Sequence, residues 1–275
     1  MTRGGDLGRR RARRAALAAT GTLLVLATTA VGGDGTFAAA PSSPLSVGNQ
    51  PSYVLAADLN GDGRADVVTV NKGAPSLSVR LGDGHGGFTN GSTVTTGSVP
   101  ESATVGDFNG DGKQDLVAAN SIGDSVSVAL GDGAGGFAAP TEIPVGDQPD
   151  GVVTADLDGN GNQDLVTANF NAATVSVLLG NGLGSFSPAA ATAVGGSTYG
   201  LTVTDLNGDG AQDIITANGG SNSISVLRGN GTGGFTGPAT TTAAGSMMTS
   251  VSAGDLDGDG YPDIVATSFS GNALH

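Results

Sequence analysis

The chain carries one nine-residue acidic loop five times, starting at Asp58, Asp107, Asp156, Asp205 and Asp255, with steps of 49, 49, 49 and 50 residues. A unit repeated at such a period cannot bury its apolar face alone and must stack on copies of itself, so the repeat decides the architecture. The loops read DLNGDGRAD (58–66), DFNGDGKQD (107–115), DLDGNGNQD (156–164), DLNGDGAQD (205–213) and DLDGDGYPD (255–263). Each places side-chain oxygens at its first, third, fifth and ninth positions. An all-oxygen set suits a hard cation, calcium above all.

A cation that takes six to eight oxygens at about 2.3 to 2.6 Å can be wrapped only by a tightly folded segment. Glycines such as Gly61 and Gly63 allow that folding, because they admit positive φ where a Cβ would clash. The expected ligand sets are Asp58, Asn60, Asp62, the carbonyl of Arg64 and Asp66, then Asp107, Asn109, Asp111, Lys113 and Asp115. The third loop offers Asp156, Asp158, Asn160, Asn162 and Asp164, and the fourth Asp205, Asn207, Asp209, Ala211 and Asp213. The fifth offers Asp255, Asp257, Asp259, Tyr261 and Asp263. About five calcium ions are the expected cofactors. An EF-hand would need a bidentate Glu at the twelfth position and a following helix. Thr69, Ala118, Thr167, Thr216 and Ala266 stand there instead, and the residues between are partly β-branched and short, which reads as strand. The competing reading is a set of acidic Asx turns that bind nothing.

Between loops lie three more apolar runs separated by glycine-rich turns, giving four strands per period. In the third repeat the strands are expected at Gly151–Ala155, Asp164–Asn169, Thr174–Leu179 and near Thr192–Val194. A second motif sits between the third and fourth strands: GDGHGGF from Gly82, GDGAGGF from Gly131, GNGLGSF from Gly180 and GNGTGGF from Gly229. Its glycines serve a hairpin turn, and Phe88, Phe137, Phe186 and Phe235 are expected between adjacent sheets. A phosphate cradle would need a helix N-terminus that the pattern does not show.

A four-stranded sheet repeated every 49 or 50 residues is a β-propeller blade, so the fold class is all-β, with four complete blades and a partial fifth. Tryptophan is absent, and with it the WD signature. With D-[LF]-[ND]-G-[DN]-G-x-x-D and G-[DN]-G-x-G-x-F in register over 45–275, the chain resembles the VCBS/FG-GAP repeat family, related to the integrin α-subunit propeller. The resemblance implies a propeller and leaves the function open among adhesion receptors, lectin-like modules and accessory domains of secreted enzymes. The fifth repeat reaches His275 two residues into its third strand, and Leu45–Pro51 (LSVGNQP) matches Ile143–Pro149 (IPVGDQP). Such an N-terminal strand is expected to join the last blade, and the chain reads as a fragment of a larger propeller.

Residues 1–40 read as a secretory leader. Arg9, Arg10, Arg11, Arg13 and Arg14 precede an uncharged run from Ala15 to Val31, with small residues at Thr36 to Ala40 before Pro41. The Arg13-Arg14 pair is compatible with twin-arginine export, and a membrane anchor is the competing reading of the run. The propeller domain is then 41–275 and extracellular. The whole chain has net charge −14; without residues 1–40, which hold six of the 11 basic residues and two of the 25 acids, five basic residues face 23 acids, for −18. The loops hold three acids each in the first four copies and four in the last, 16 in all, so five divalent ions would leave about −8. Acidity is thus a metal-site signature, and nucleic acid is excluded as a partner. With no cysteine to form disulfides, calcium is expected to brace the fold. An ion at a hundredfold excess over its dissociation constant adds about 2.7 kcal/mol per site.

The only histidines are His85 and His275, and Glu101 and Glu142 stand at different points of the repeat. No nucleophile, base and orienting group can be assembled from them, so the chain is expected not to be an enzyme; a paired-carboxylate glycosidase is the competing case. The informative departure from the repeat's own pattern lies six residues before each loop: Ser52, Glu101, Asp150, Tyr199, Thr249. The strand after each loop returns to that end with Lys72, Ser121, Phe170, Gly219 and Phe269. A varied polar and aromatic rim opposite the metals has the character of a binding face. Its candidate ligand-binding residues are Lys72, Glu101, Asp150, Phe170, Tyr199 and Phe269, and an extracellular glycan or protein is the expected partner, in adhesion or recognition; a structural spacer of an extracellular assembly and an accessory domain of a secreted enzyme are the competing readings.

Overall fold

The computed structural model describes residues 43–188, 191–270 and 272–274, with the backbone of 22–23, 26–27 and 38–39. The expected leader lies outside the described residues apart from those six backbone positions. No helix among the described residues is long and apolar enough to cross a membrane.

The described chain is all-β. Blade one runs antiparallel through Pro51–Ala57, Asp66–Asn71, Ser76–Gly82 and Phe88–Thr95, and blade two through Pro100–Gly106, Asp115–Asn120, Ser125–Ala129 and Thr141–Pro144. Blade three has Pro149–Ala155, Asp164–Asn169 and Thr174–Gly180, with its outer strand in two pieces, Phe186–Pro188 and Thr192–Ala193. Blade four has Thr198–Thr204, Asp213–Asn218, Ser223–Leu227 and Thr240–Ala243, and blade five has Met248–Gly254, Asp263–Ser268 and Ala273–Leu274. The expected meander is therefore present, with two shifts. The innermost strand of blade three begins at Pro149 rather than Gly151, and its third strand extends to Gly180. The short strand Leu45–Ser46 does not join the last blade: it pairs antiparallel with Thr22–Leu23. The Arg80 guanidinium of blade one donates to the Ser46 carbonyl, and Gly48 N–H donates to Ser78 Oγ at 3.2 Å, which fastens this segment to the first blade.

Why the second strand of each blade reads as an unbroken apolar run follows from the packing. Alternate side chains of a strand point to opposite faces. Leu116 and Ala118 face blade one, in a cluster with Leu59, Val68, Leu77 and Val79, whereas Val117 and Ala119 join Phe108, Val126 and Leu165 toward blade three. Leu157, Val166, Val177, Ile214 and Leu227 form the next interblade layer, and Ile215, Ala217, Met248, Val251 and Ala266 the last. Both faces of a middle blade are covered, so no polar alternation survives in its second strand.

A buried polar pattern recurs at the end of that strand. Asn71, Asn169 and Asn218 are fully buried, and their Nδ2 groups donate to two third-strand hydroxyls each, as Asn169 does to Thr174 and Ser176 at 3.0 and 2.9 Å. Their Oδ1 atoms accept from Thr69, Thr167 and Thr216, two residues earlier, at 3.4, 2.9 and 3.0 Å. In blade two the threonine is Ala118, and the Asn120 Oδ1 is buried without a partner. A buried acceptor left unsatisfied costs about 1–3 kcal/mol. Ala118→Thr restores the donor at a site whose equivalents hold Thr fully buried, and should stabilise the protein by about 1 kcal/mol in urea unfolding. A loss of stability would show that blade two is packed differently from its neighbours.

Candidate functional site

Each acidic loop links the first and second strands of its blade and is folded by its own hydrogen bonds. Asp58 accepts Gly61 N–H on Oδ1 and Gly63 N–H on Oδ2, both at 2.8 Å. Asp107, Asp156, Asp205 and Asp255 hold the matching glycine pairs in the same way. Gly61 and Gly63 have φ of 72° and 78°, the left-handed conformation for which the glycines are required. The seventh residue, Arg64, Lys113, Asn162, Ala211 or Tyr261, donates its N–H to the fifth-position oxygen of Asp62, Asp111, Asn160, Asp209 or Asp259. The third-position residues Asn60, Asn109, Asp158, Asn207 and Asp257 accept from that same fifth residue's N–H.

The ninth residue carries the loop into the core. Asp66 is fully buried; its Oδ2 accepts Leu59 N–H at 2.9 Å and its Oδ1 accepts Gly82 N–H at 2.8 Å. Asp115, Asp164 and Asp213 likewise reach Gly131, Gly180 and Gly229. These glycines open the second motif, and a Cβ on any of them would stand 2.2 Å from the eighth-position carbonyl oxygen of Ala65, Gln114, Gln163 or Gln212. The first glycine of G-[DN]-G-x-G-x-F is therefore a close-approach residue for the acidic loop, a role the sequence reading missed by assigning all three to the turn. The turn itself is capped by the second residue, as Asp83 Oδ1 accepts from His85 and Gly87 N–H. The aromatic then packs on the previous blade's loop: Phe186 meets Phe108 edge-on at 5.6 Å, Phe137 joins the cluster of Leu59, and Phe235 that of Leu157. Phe88 is the exception and packs against none of the four clusters.

The opposite rim has a structural cause. The register of the first strand on the second slips at Ser52, Glu101, Asp150, Tyr199 and Thr249, so the variable row consists of five β-bulge residues. A bulge adds one residue and re-aims side chains. The successor of every bulge residue and four of the five bulge residues themselves line one cavity of about 320 Å³ that draws on all five innermost strands, through Tyr53, Glu101, Ser102, Asp150, Tyr199, Thr249 and their neighbours; Ser52 alone stays outside it. The two expected rows meet across blades. Lys72 forms an ion pair with Glu101, and Phe170 packs edge-on against Tyr199 at 4.8 Å. Gly219 makes room for that ring, since a Cβ there would lie 2.6 Å from Tyr199 Cε2. Phe269 stands apart, 59% exposed and outside the cavity lining. Glu101 has a carboxylate neighbour, since Asp150 of the next blade lies within its field. Glu142 is held apart, on Asn120, Ser125 and Ser127. Tyr53 and Ser102 were missed, because alternation without a bulge turns them away from the channel.

The model of the FG-GAP-like repeat matches residues 28–69, 58–118, 107–167, 156–216 and 205–266, four of these stretches beginning at an acidic loop. The chain belongs to the FG-GAP-like repeat family. No curated protein matches it. Among solved structures this FG-GAP chain is similar to a lectin from Agrocybe aegerita described as recognising non-reducing terminal N-acetylglucosamine, with TM-score 0.57 and 20% identity over 92% of this chain and 72% of the lectin. It is also similar to a functionally unknown protein from Desulfotomaculum acetoxidans, with TM-score 0.60 and 12% identity over 84% and 70%. A third likeness is to a putative 6-phosphogluconolactonase from Bacteroides uniformis, with TM-score 0.60 and 17% identity over 88% and 74%. At these identities the likeness is one of fold.

Whether the FG-GAP loops suit a cation is decided by their donor chemistry. Asp156, Asp158 and Asp164 converge with one oxygen each within 4.8 Å, as do Asp255, Asp257 and Asp263. Three carboxylates that close repel one another without a counter-charge. Burial pushes the Asp115 and Asp164 carboxyls up; N–H donors from Gly131 and Phe108, or Gly180 and Leu157, oppose this, and the neighbouring loop acids add to it. At the exposed end the Gly210 amide holds Asp205 below the usual carboxylate range, with the other loop amides helping against slight desolvation. A hard cation fits this set, and in the first two loops Arg64 and Lys113 lean on Asp62 and Asp111 at 3.6 and 3.2 Å as partial substitutes.

Two outcomes are expected. Calorimetry with calcium should count five sites, and Asp156→Asn with Asp164→Asn should leave four. Lys113→Ala should tighten the second site, since its competing ammonium is gone, and no calcium binding at millimolar concentration would refute the fit. The second outcome concerns Asp150. Burial first, and then the charge of Glu101, push its carboxyl up to about 6, with Lys72 acting the other way. A carboxyl raised above its unfolded value of about 3.9 leaves the native state binding more protons, so stability falls as pH rises from about 4 to 6. Asp150→Asn should therefore stabilise by about 1 kcal/mol at pH 7, after allowance for solvent screening, and change little at pH 4. Equal or lower melting temperature for the variant at pH 7 would contradict the assignment.

Proposed function

We propose that this FG-GAP propeller is an exported, calcium-braced, non-catalytic recognition module that binds a glycan at the channel mouth opposite its metal loops. The observation that carries this reading is the convergence of four of the five bulge residues, Glu101, Asp150, Tyr199 and Thr249, on one cavity that Tyr53 of the first strand completes, while the uniform loops sit at the other end of the same strands. A scaffold repeated five times with variation concentrated at one mouth separates bracing from recognition. The cavity is concave and near the lower end of small-ligand sites, which span about 300–1,000 Å³. A protein partner would instead use a surface of roughly 800 Å² per side, so of the two expected partners the mouth favours a glycan.

Export rests on the leader pattern of residues 1–40 and on the absence of cysteine, which leaves calcium, plentiful outside cells, as the brace. His85 does not enter the mouth, because it bonds within its own turn to Asp83. A glycan array probed with the calcium-loaded protein tests the reading. Parent protein should bind a defined set of glycans, and Tyr199→Ala with Phe170→Ala should lose at least tenfold in affinity with calcium stoichiometry unchanged. Unaltered affinity in that variant would remove the rim from consideration, and hydrolysis of a bound glycan would overturn the non-catalytic reading.

A further inference from the structure

The mouth is not a neutral sugar-binding surface. Three charged side chains meet there, Lys72, Glu101 and Asp150, and only the first two are paired with each other. Among the described residues Asp150 has Glu101 and Lys72 as electrostatic neighbours and no hydrogen-bond donor. Asp150 is half-buried, and a partly desolvated carboxylate that is neither paired nor hydrogen-bonded is available to a positively charged donor. A second, independent observation lies one residue from Glu101. Ser102 lines the same cavity at 9% exposure, and its Oγ is buried with no partner. The mouth therefore holds an acceptor without a donor and an unused hydroxyl. Tyr199 and Tyr53 bring aromatic rings to its wall, Tyr53 being 44% exposed.

Each of these features has a complement in one kind of ligand. The unpaired carboxylate calls for a positive donor, because Lys72 is already committed to Glu101 and an ionised Asp150 leaves the mouth with net charge −1. Tyrosine faces attract cations and stack on the C–H face of a pyranose ring. A free Ser hydroxyl both donates and accepts, and so serves a ring hydroxyl. Resting on the glycan reading above, we propose that the mouth recognises a cationic amino sugar, its protonated amine on Asp150 and its ring against Tyr199 and Tyr53. The amine supplies the donor that Asp150 lacks. N-acetylation removes the charge and would leave Asp150 unpaired beneath a neutral amide, so the site discriminates free amine from acetamide. Charge-assisted hydrogen bonds are about twice as strong as neutral ones, and the half-buried Asp150 gains that difference only from the free amine.

Calorimetry on the calcium-loaded full chain at pH 7 and 0.15 M salt tests this with three probes: a β-1,4-glucosamine tetramer, its fully N-acetylated counterpart and an uncharged glucose tetramer. Filled loops and screening salt suppress general attraction of a polycation to an acidic protein. The glucosamine tetramer should bind at least tenfold tighter than either neutral sugar. Asp150→Asn should lose that tenfold preference, while Asp132→Asn, in the blade-two hairpin turn where blades three and four carry Asn181 and Asn230, should keep it. Calcium stoichiometry and melting temperature of the Asp150 variant show that it is folded. Equal affinity for the acetylated and free tetramers, or an unchanged preference in Asp150→Asn, overturns the amine assignment while the glycan reading stands. Binding of none of the three, with neutral glycans of other kinds bound on the array, also overturns it and spares that reading. A lysine-rich peptide binding where no sugar does would overturn both.

Discussion

The ninth residue of each acidic loop is the point on which the blade depends. Asp66, Asp115, Asp164 and Asp213 are almost wholly buried, and each accepts one N–H from its own loop and one from the glycine that opens the hairpin motif after the third strand. One carboxylate thereby ties the first three strands into a unit. It also fixes the hairpin whose aromatic covers the neighbouring blade's loop, as Phe186 covers Phe108. Strand pairing, loop closure and interblade packing share that single group. In the fifth loop, among the described residues, Asp263 accepts from Leu256 N–H alone, and Leu256 is 69% exposed where Leu59 and Phe108 are buried.

Burying such a carboxylate beside two or three others is unfavourable unless charge is returned to it. The backbone returns part, through the aligned N–H groups of the loop, and Arg64 and Lys113 return part in the first two loops. A divalent cation would return the rest. The metal chemistry and the folding of the blade are one phenomenon, since a cation held between the half-buried first residue and the buried ninth would draw together the strands they belong to. The far rim is thereby freed from holding the fold together, and its residues vary.

Much of this was legible because the repeat compares the chain with itself. The acidic loops, the four strands, the second strand Asp164–Asn169 and the interblade role of Phe137, Phe186 and Phe235 all follow from pattern. The variable row at Glu101, Asp150 and Tyr199 was visible too, but not the reason it matters. A β-bulge has no sequence signature when a Pro or Thr simply precedes a variable residue, so the shift that brings Ser102 into the cavity was hidden. The turn before each innermost strand is held by non-glycine residues at positive φ, Gln50, Val99, Gln148, Ser197 and Met247 at 51° to 55°, and nothing in their identities announces it. Contacts between blades, such as Lys72 with Glu101 and Phe170 with Tyr199, join residues 29 apart that no short-range pattern relates.

The most direct test of the account is a crystal structure of the calcium-loaded chain at a resolution that shows coordination. The account predicts an ion in every loop, within about 2.3 to 2.6 Å of the first, third, fifth and ninth side chains and the seventh carbonyl. It also predicts that Asp66, Asp115, Asp164 and Asp213 keep their bonds to Gly82, Gly131, Gly180 and Gly229. Loops folded as described but empty at saturating calcium, or ions bound at the Glu101 and Asp150 mouth instead, would contradict it.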